Sequence, residues 1–202
     1  MTIKLPFIYL ASASPRRHEL LKQIGVQHEI LRVPEPEGAE DEPILPGETP
    51  QDYVIRTARE KAQHALNYLQ QQSTGFASHP ILAADTCVML DGLVVDKAHN
   101  DEDVRHSLKI LSAKEHEVHT HIVLITPEQT LESTSINKIR MRELSDAEIE
   151  HYVKCGEGLG KAGGYAIQGL GGMLIKRLEG SFTGVMGLPV SETWELLQQL
   201  EG

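Results

Sequence analysis

The sequence predicts an α/β protein with a central mixed sheet flanked by helices and an active-site cleft between two lobes. Three observations carry this expectation. Strand-like and helix-like segments alternate along the 202 residues. Ile81 to Leu90, ILAADTCVML, is the near-continuous apolar run of a buried strand. The first strand also breaks into small residues just where a helix should begin. The length suits one sizeable core, so residues 1–202 are read as a single domain, and no internal repeat is visible.

Phe7 to Leu10 is apolar and rich in strand formers. Ser14 then suits an N-cap, Pro15 a first helical turn, and Leu20, Leu21 and Ile24 an apolar stripe that Gly25 closes. His28 to Val33 reads as a short strand, followed by the acidic, proline-rich loop PEPEGAEDEPILPGE. Thr49-Pro50 restarts a helix with Val54, Ile55, Ala58, Ala62, Ala65, Leu66 and Leu69 on one face and Lys61 beside them. The strand Ile81 to Leu90 turns at Asp91-Gly92 into Leu93 to Val95. A helix over Asp101 to Leu111 precedes two strands, Val118 to Thr126 and a polar one through Ser133 to Ile139. Ser145 to Glu148 is a capping box for a helix through Val153. The glycine-rich stretch Gly156 to Gly172 leads to an expected strand at Met173 to Ile175, and Leu188-Pro189 opens the closing helix.

Charge and cysteine content exclude several classes. A formal charge of -10 argues against nucleic acid as a partner, because that affinity comes from basic surface. An anionic small substrate would need a local cluster of Arg and Lys. Cys87 and Cys155 are too few for a disulfide framework and lack a CxxC spacing. No apolar stretch is long enough to span a bilayer, and MTIKLPF does not resemble a signal peptide, so a cytoplasmic protein with no membrane partner is expected.

LASASPRR, Leu10 to Arg17, places an anion-binding device at the end of the first strand. Backbone N–H groups at a helix N-terminus favour a phosphate, and Arg16 and Arg17 add fork-shaped charge. A capped surface helix with two solvated arginines is the bland alternative. GLGKAG, Gly158 to Gly163, satisfies GxGxxG but follows a helix, so it reads as a turn and not a dinucleotide site. GEGLGKA fails as a P-loop because Cys155 takes the first glycine position and Ala162 the Ser/Thr position. His116, His119 and His121 suggest a metal site, but alternation puts Glu117, His119 and His121 on one strand face with Val118, Ile122 and Leu124 as the buried one, so the histidines read as solvated. Cys87 reads as a small buried hydrophobe. Asp85 is different, because a carboxylate inside an apolar strand costs several kcal/mol unless paired or metal-bound, about 2 kcal/mol at the least. It is the candidate catalytic group.

LASASPRRHELL, AREKA at Ala58 to Ala62, LAADTCVMLDG at Leu82 to Gly92, KAGGYAIQGLGG at Lys161 to Gly172 and GLPVSET at Gly187 to Thr193 together resemble the Maf family of nucleoside triphosphate pyrophosphatases. The blocks run in family order over nearly the whole chain. Arg16 in SPRR, Thr86 after the aspartate and Gln168 in AIQG resemble the dTTP/UTP branch, whereas the 7-methyl-GTP branch tends to show SPWR, Asp-Gln and Glu-Gly there.

The resemblance implies a Maf/inosine-triphosphatase-like fold and hydrolysis of dTTP and UTP to monophosphate and pyrophosphate by water attack at the α-phosphorus. It implies Asp85 and Lys97 as catalytic groups, Asp85 as proton acceptor and, with Glu37 of the acidic loop, as metal ligand. Ser12, Arg16, Arg17, Lys61 and Lys97 would cradle the triphosphate, and Thr86 and Gln168 would read the base. The expected cofactor is a divalent cation, Mg²⁺ with Mn²⁺ as a substitute. The implied partner is the nucleotide alone, and a homodimer stays open. The chain also departs from the pattern. Gly160 stands where relatives usually have an acidic residue, Ala98 replaces a proline and is expected to loosen the backbone, and the loop before Thr49 is long enough that Glu35 could take the place of Glu37. A nonenzymatic nucleotide-binding regulator of septum formation, and house-cleaning of modified nucleotides, are the alternative functions. The regulator would not need Asp85.

Overall fold

A computed structural model describes residues 5–34, 43–72 and 79–200. Seven strands form one mixed sheet in the order β2-β1-β3-β5-β6-β7, with β4 paired to the outer half of β3. β1 (Ile8–Leu10) runs parallel to both β2 (His28–Ile30) and β3 (Ile81–Leu90). β3 is antiparallel to β4 (Leu93–Val95) and to β5 (Glu115–Ile125). β5 is antiparallel to β6 (Thr130–Met141), and β6 to β7 (Ile175–Glu179).

The parallel half needs crossover helices, and the sequence supplies them. α1 (Pro15–Gln23) joins β1 to β2, and α2 (Pro50–Gln71) lies between β2 and β3 in sequence. α2 starts where expected because Thr49 accepts the Asp52 N–H and Pro50 occupies the first turn. Its small residues Ala58, Ala62 and Ala65 pack on Ile81, Ala83, Val123 and Ile125, covering one face of the sheet. The opposite face buries Leu82, Ala84, Ile122 and Leu124 against Leu20 and Leu21 of α1 and Leu196 and Leu197 of α6 (Val190–Gln199). A further cluster around Val88, Val118 and Ile139 packs under α3 (Asp101–Leu111) and α4 (Asp146–Cys155). The cleft lies between this cluster and the other two.

The strand expected at Met173 to Ile175 is displaced. Residues Leu170–Leu174 form a 3-10 turn, in which Gly172 N donates to Gly169 O at 3.0 Å, and β7 begins only at Ile175. The polar run Lys176 to Glu179 hid an edge strand whose residues mostly face solvent. β2 ends at Ile30 and not at Val33, β5 begins at Glu115, before Val118, and ends at Ile125, β6 extends beyond its expected bounds at both ends, and a one-turn helix, α5 (Phe182–Val185), was not expected. The histidines of β5 are not a solvated face. His116, His119 and His121 are all buried, because both faces of this central strand are covered and alternation carries no signal there. His116 shares a 2.7 Å hydrogen bond with the Tyr165 hydroxyl, and burial lowers its pKa to about 4. Cys87 is buried with its thiol pushed up to about 12, as expected of an inert side chain. Gly158 to Gly163 forms turns after α4, as its sequence context requires.

Candidate active site

Asp85 sits in the middle of β3, on the face that α2 covers, and is 8 % exposed. Its burial is compensated by two groups one helical turn apart on α2. Lys61 Nζ donates to Oδ1 at 2.6 Å and Thr57 Oγ1 donates to Oδ2 at 2.8 Å. Thr57 is a site residue that sequence reading missed. Its signal was the i, i+4 spacing to Lys61 on the same face of α2.

On the opposite face of β3, Thr86 belongs to a directed hydroxyl chain. Thr120 Oγ1 donates to Gly184 O at 2.8 Å, which uses its one proton. Thr86 therefore donates to Thr120, at 2.9 Å, and accepts from Arg17 Nη2 at 3.3 Å. Arg17 also donates through Nε to Gly187 O at 2.7 Å and through Nη1 to Ser12 Oγ at 2.9 Å. Ser12 Oγ in turn accepts the Ser14 N–H at 3.2 Å, and the Ser14 side chain does not cap α1. Arg17 thus ties the strand end to the α5 segment. Arg16 points differently. Burial lowers its pKa, Tyr152 and Glu157 oppose that shift, and its Nε is buried without a partner among the described residues.

Lys97 follows β4 and forms an antiparallel bridge with Ala162. Ala98 N donates to Lys161 O at 3.1 Å, a bond that proline could not make, so the alanine ties the backbone that it was expected to loosen. Gly160 N donates to Ala98 O at 2.7 Å, so the two positions that the resemblance marks as departures are directly bonded. Burial lowers the Lys161 pKa first, and the neighbouring charges of Arg16 and Lys97 lower it further.

One cavity of about 850 Å³ is lined by Ser12, Arg16, Arg17, Lys61, Asp85, Thr86, Lys97 and Gln168, together with Arg32 and Lys161. Eight site residues anticipated from five separate segments therefore converge. Glu37 and Glu35 lie outside the described residues. A second recess of about 800 Å³ shares Asp85, Thr86 and Lys97, but Asp96, Glu102 and Asp103 make it acidic. A polyanion fits the first and is repelled by the second.

The Maf-like protein family model matches residues 7–200. This chain belongs to the Maf family. A Maf relative from Bordetella pertussis, "dTTP/UTP pyrophosphatase", is 51% identical over 193 residues, covering 96% of this chain and 92% of that protein. The Cupriavidus pinatubonensis and Neisseria gonorrhoeae proteins of the same description are 44% and 40% identical, each over 96% of this chain and over 96% and 93% of their own lengths. Lys161 lies inside a Maf block read from the sequence, KAGGYAIQG, but was passed over there as part of a glycine-rich turn. Arg32 follows β2 with no motif to mark it.

Proposed function

We propose that this Maf protein hydrolyses dTTP and UTP to the monophosphate and pyrophosphate. The observation that carries the reading is the basic cavity that sets one buried carboxylate, Asp85, among Arg16, Lys61, Lys97, Lys161 and Gln168. The names of the relatives, all dTTP/UTP pyrophosphatases, point to the same reaction.

In this reaction a water attacks the α-phosphorus, the bond to the bridging oxygen breaks, and pyrophosphate leaves. Asp85 accepts the proton of the attacking water. Lys61, held at 2.6 Å, keeps that carboxylate oriented and brings a positive charge beside it for the phosphates. Lys97, Lys161 and Arg16 meet the charge that develops on the leaving pyrophosphate, which the chain's net charge of -10 would otherwise repel. Arg17 holds Ser12 and the start of α1 in place, and Thr86 acts through Arg17, since its proton is spent on Thr120. Gln168 offers both a donor and an acceptor to a pyrimidine edge.

A divalent cation fits the donor set. Mg²⁺ typically takes one or two carboxylates and fills its shell with phosphate oxygens and water, and a carboxylate has about four lone-pair sites, of which Lys61 and Thr57 use two. Among the described residues no cluster of three or more His, Cys, Asp or Glu could hold an ion alone, so Asp85 would share it with the nucleotide and with Glu37. Bound there, Mg²⁺ or Mn²⁺ would neutralise phosphate charge. Product analysis tests the reading. dTTP and UTP should release pyrophosphate in a chelator-sensitive manner while 7-methyl-GTP reacts poorly, and orthophosphate as the first product would place the attack at the γ-phosphorus and overturn it.

A further inference from the structure

The segment bearing Gln168 has no regular structure of its own, yet its side chain must meet a base in a fixed place. The groups that hold it converge on Glu157. α4 ends at Cys155, and Gly156 caps it in the left-handed region, φ 71°, turning the chain back so that Glu157 lies beside α4. The Glu157 carboxylate accepts three hydrogen bonds. Leu170 N donates to Oε1 at 2.9 Å, Gly171 N donates to Oε2 at 2.9 Å, and the Tyr152 hydroxyl donates to Oε2 at 2.8 Å. Tyr152 is fully buried, and its hydroxyl oxygen accepts the Ala166 N–H at 3.1 Å. Backbone groups on both sides of Gln168 therefore end on one carboxylate, directly at residues 170 and 171 and through Tyr152 at residue 166. Gly169 is pressed against it so closely that a Cβ there would stand 1.7 Å from Oε1.

The same carboxylate acts on the charges across the cavity, opposing the fall in pKa that burial causes at both Arg16 and Lys161.

We propose that Glu157 is a positioning residue for base selection, holding the Gln168 segment by its backbone. This rests on the reading that Gln168 meets the base. Glu157→Gln keeps the shape but presents an amide N–H₂ to donors, so one of the three bonds is replaced by a donor-donor contact. A hydrogen bond to a charged group is worth a factor of about ten or more. The expected result is a fall of about tenfold in the ratio of kcat/KM for UTP over CTP, which differ only at N3 and C4 of the base edge, expressed mainly in KM with kcat within about threefold. A merely structural role would lower the active fraction, reducing kcat equally for both substrates and leaving KM and the ratio unmoved, and that result overturns the proposal. Should the Gln variant fail to fold, Gly169→Ala perturbs the same contact from the other side and is read the same way.

Gln168→Ala separates the two ideas. If it leaves the ratio unchanged, the base reading fails and the proposal fails with it. If it lowers the ratio while Glu157→Gln does not, only the proposal fails. In the double variant the ratio should be no lower than in Gln168→Ala alone, because a residue acting through Gln168 has nothing left to position.

Discussion

Replacing Asp85 with asparagine removes a charge and a proton acceptor but almost no volume, so β3 should still pack. The amide oxygen can keep one of the bonds from Lys61 and Thr57. Lys61 is partly solvent-exposed, so losing its partner costs little stability. Turnover of dTTP should fall by about two to four decades, the usual worth of a general base, while nucleotide binding measured by calorimetry survives. A nonenzymatic regulator would show no such dependence. Near-parental hydrolysis by the Asn variant would make Asp85 a purely structural carboxylate held by α2.

At the scale of the element, α2 decides where the Asp85 partners stand. Ala58, Ala62 and Ala65 let the helix approach β3 closely enough for Thr57 and Lys61 to reach the carboxylate. Ala62→Leu should overpack this contact, costing about 1–3 kcal/mol. It should also lift the Lys61 turn off Asp85, so kcat should fall further than the fraction unfolded explains. Thermal melts and kcat on the same preparation check this, and a kcat that tracks only the folded fraction would separate the helix from the chemistry. The alanines were legible as an apolar stripe, as were β3, β4 and α3 with their observed bounds, because periodicity and turn residues agree there. The convergence of Arg16, Lys61, Lys97 and Gln168 was legible only through family resemblance, since no local pattern relates segments so far apart. Thr120 and Glu157 escaped because each works through a contact with a distant backbone or side chain, which no spacing announces, whereas the spacing of Thr57 to Lys61 was there to be read. The burial of the β5 histidines escaped for a different reason, since a strand covered on both faces loses the alternation that marks an exposed one.

Across the whole molecule, stability should depend on pH through His116. Burial lowers its pKa from 6.5 to about 4, so between these values the unfolded chain binds a proton that the native state does not. Stability contributed by this group is present above pH 6.5, declines as pH falls toward about 4, and changes no further below that. His121 is shifted in the same direction by burial and adds to the slope. His116→Gln can still bond the Tyr165 hydroxyl but cannot titrate, so urea unfolding should show a shallower loss of stability between pH 6.5 and pH 5 than in the parent. Parallel curves for the two proteins would mean that His116 takes up its proton over the same pH range in the native and the unfolded state.

The backbone clasp between residues 98 and 160 joins the two positions at which the resemblance implies a departure from the family pattern. Gly160 N donates to Ala98 O while Ala98 N donates to Lys161 O, so each of the two unusual residues occupies a bond made by the other's neighbourhood. Gly160 holds φ 69°, with nothing within 4 Å of a Cβ, which an aspartate tolerates better than most residues. A proline at 98 would delete the bond to Lys161 O. The two substitutions should therefore be epistatic, one setting the background on which the other is tolerated. Ala98→Pro and Gly160→Asp, made singly and together, should depart from additivity in unfolding free energy by more than about 0.5 kcal/mol. Additive effects would mean that the two positions are not energetically coupled.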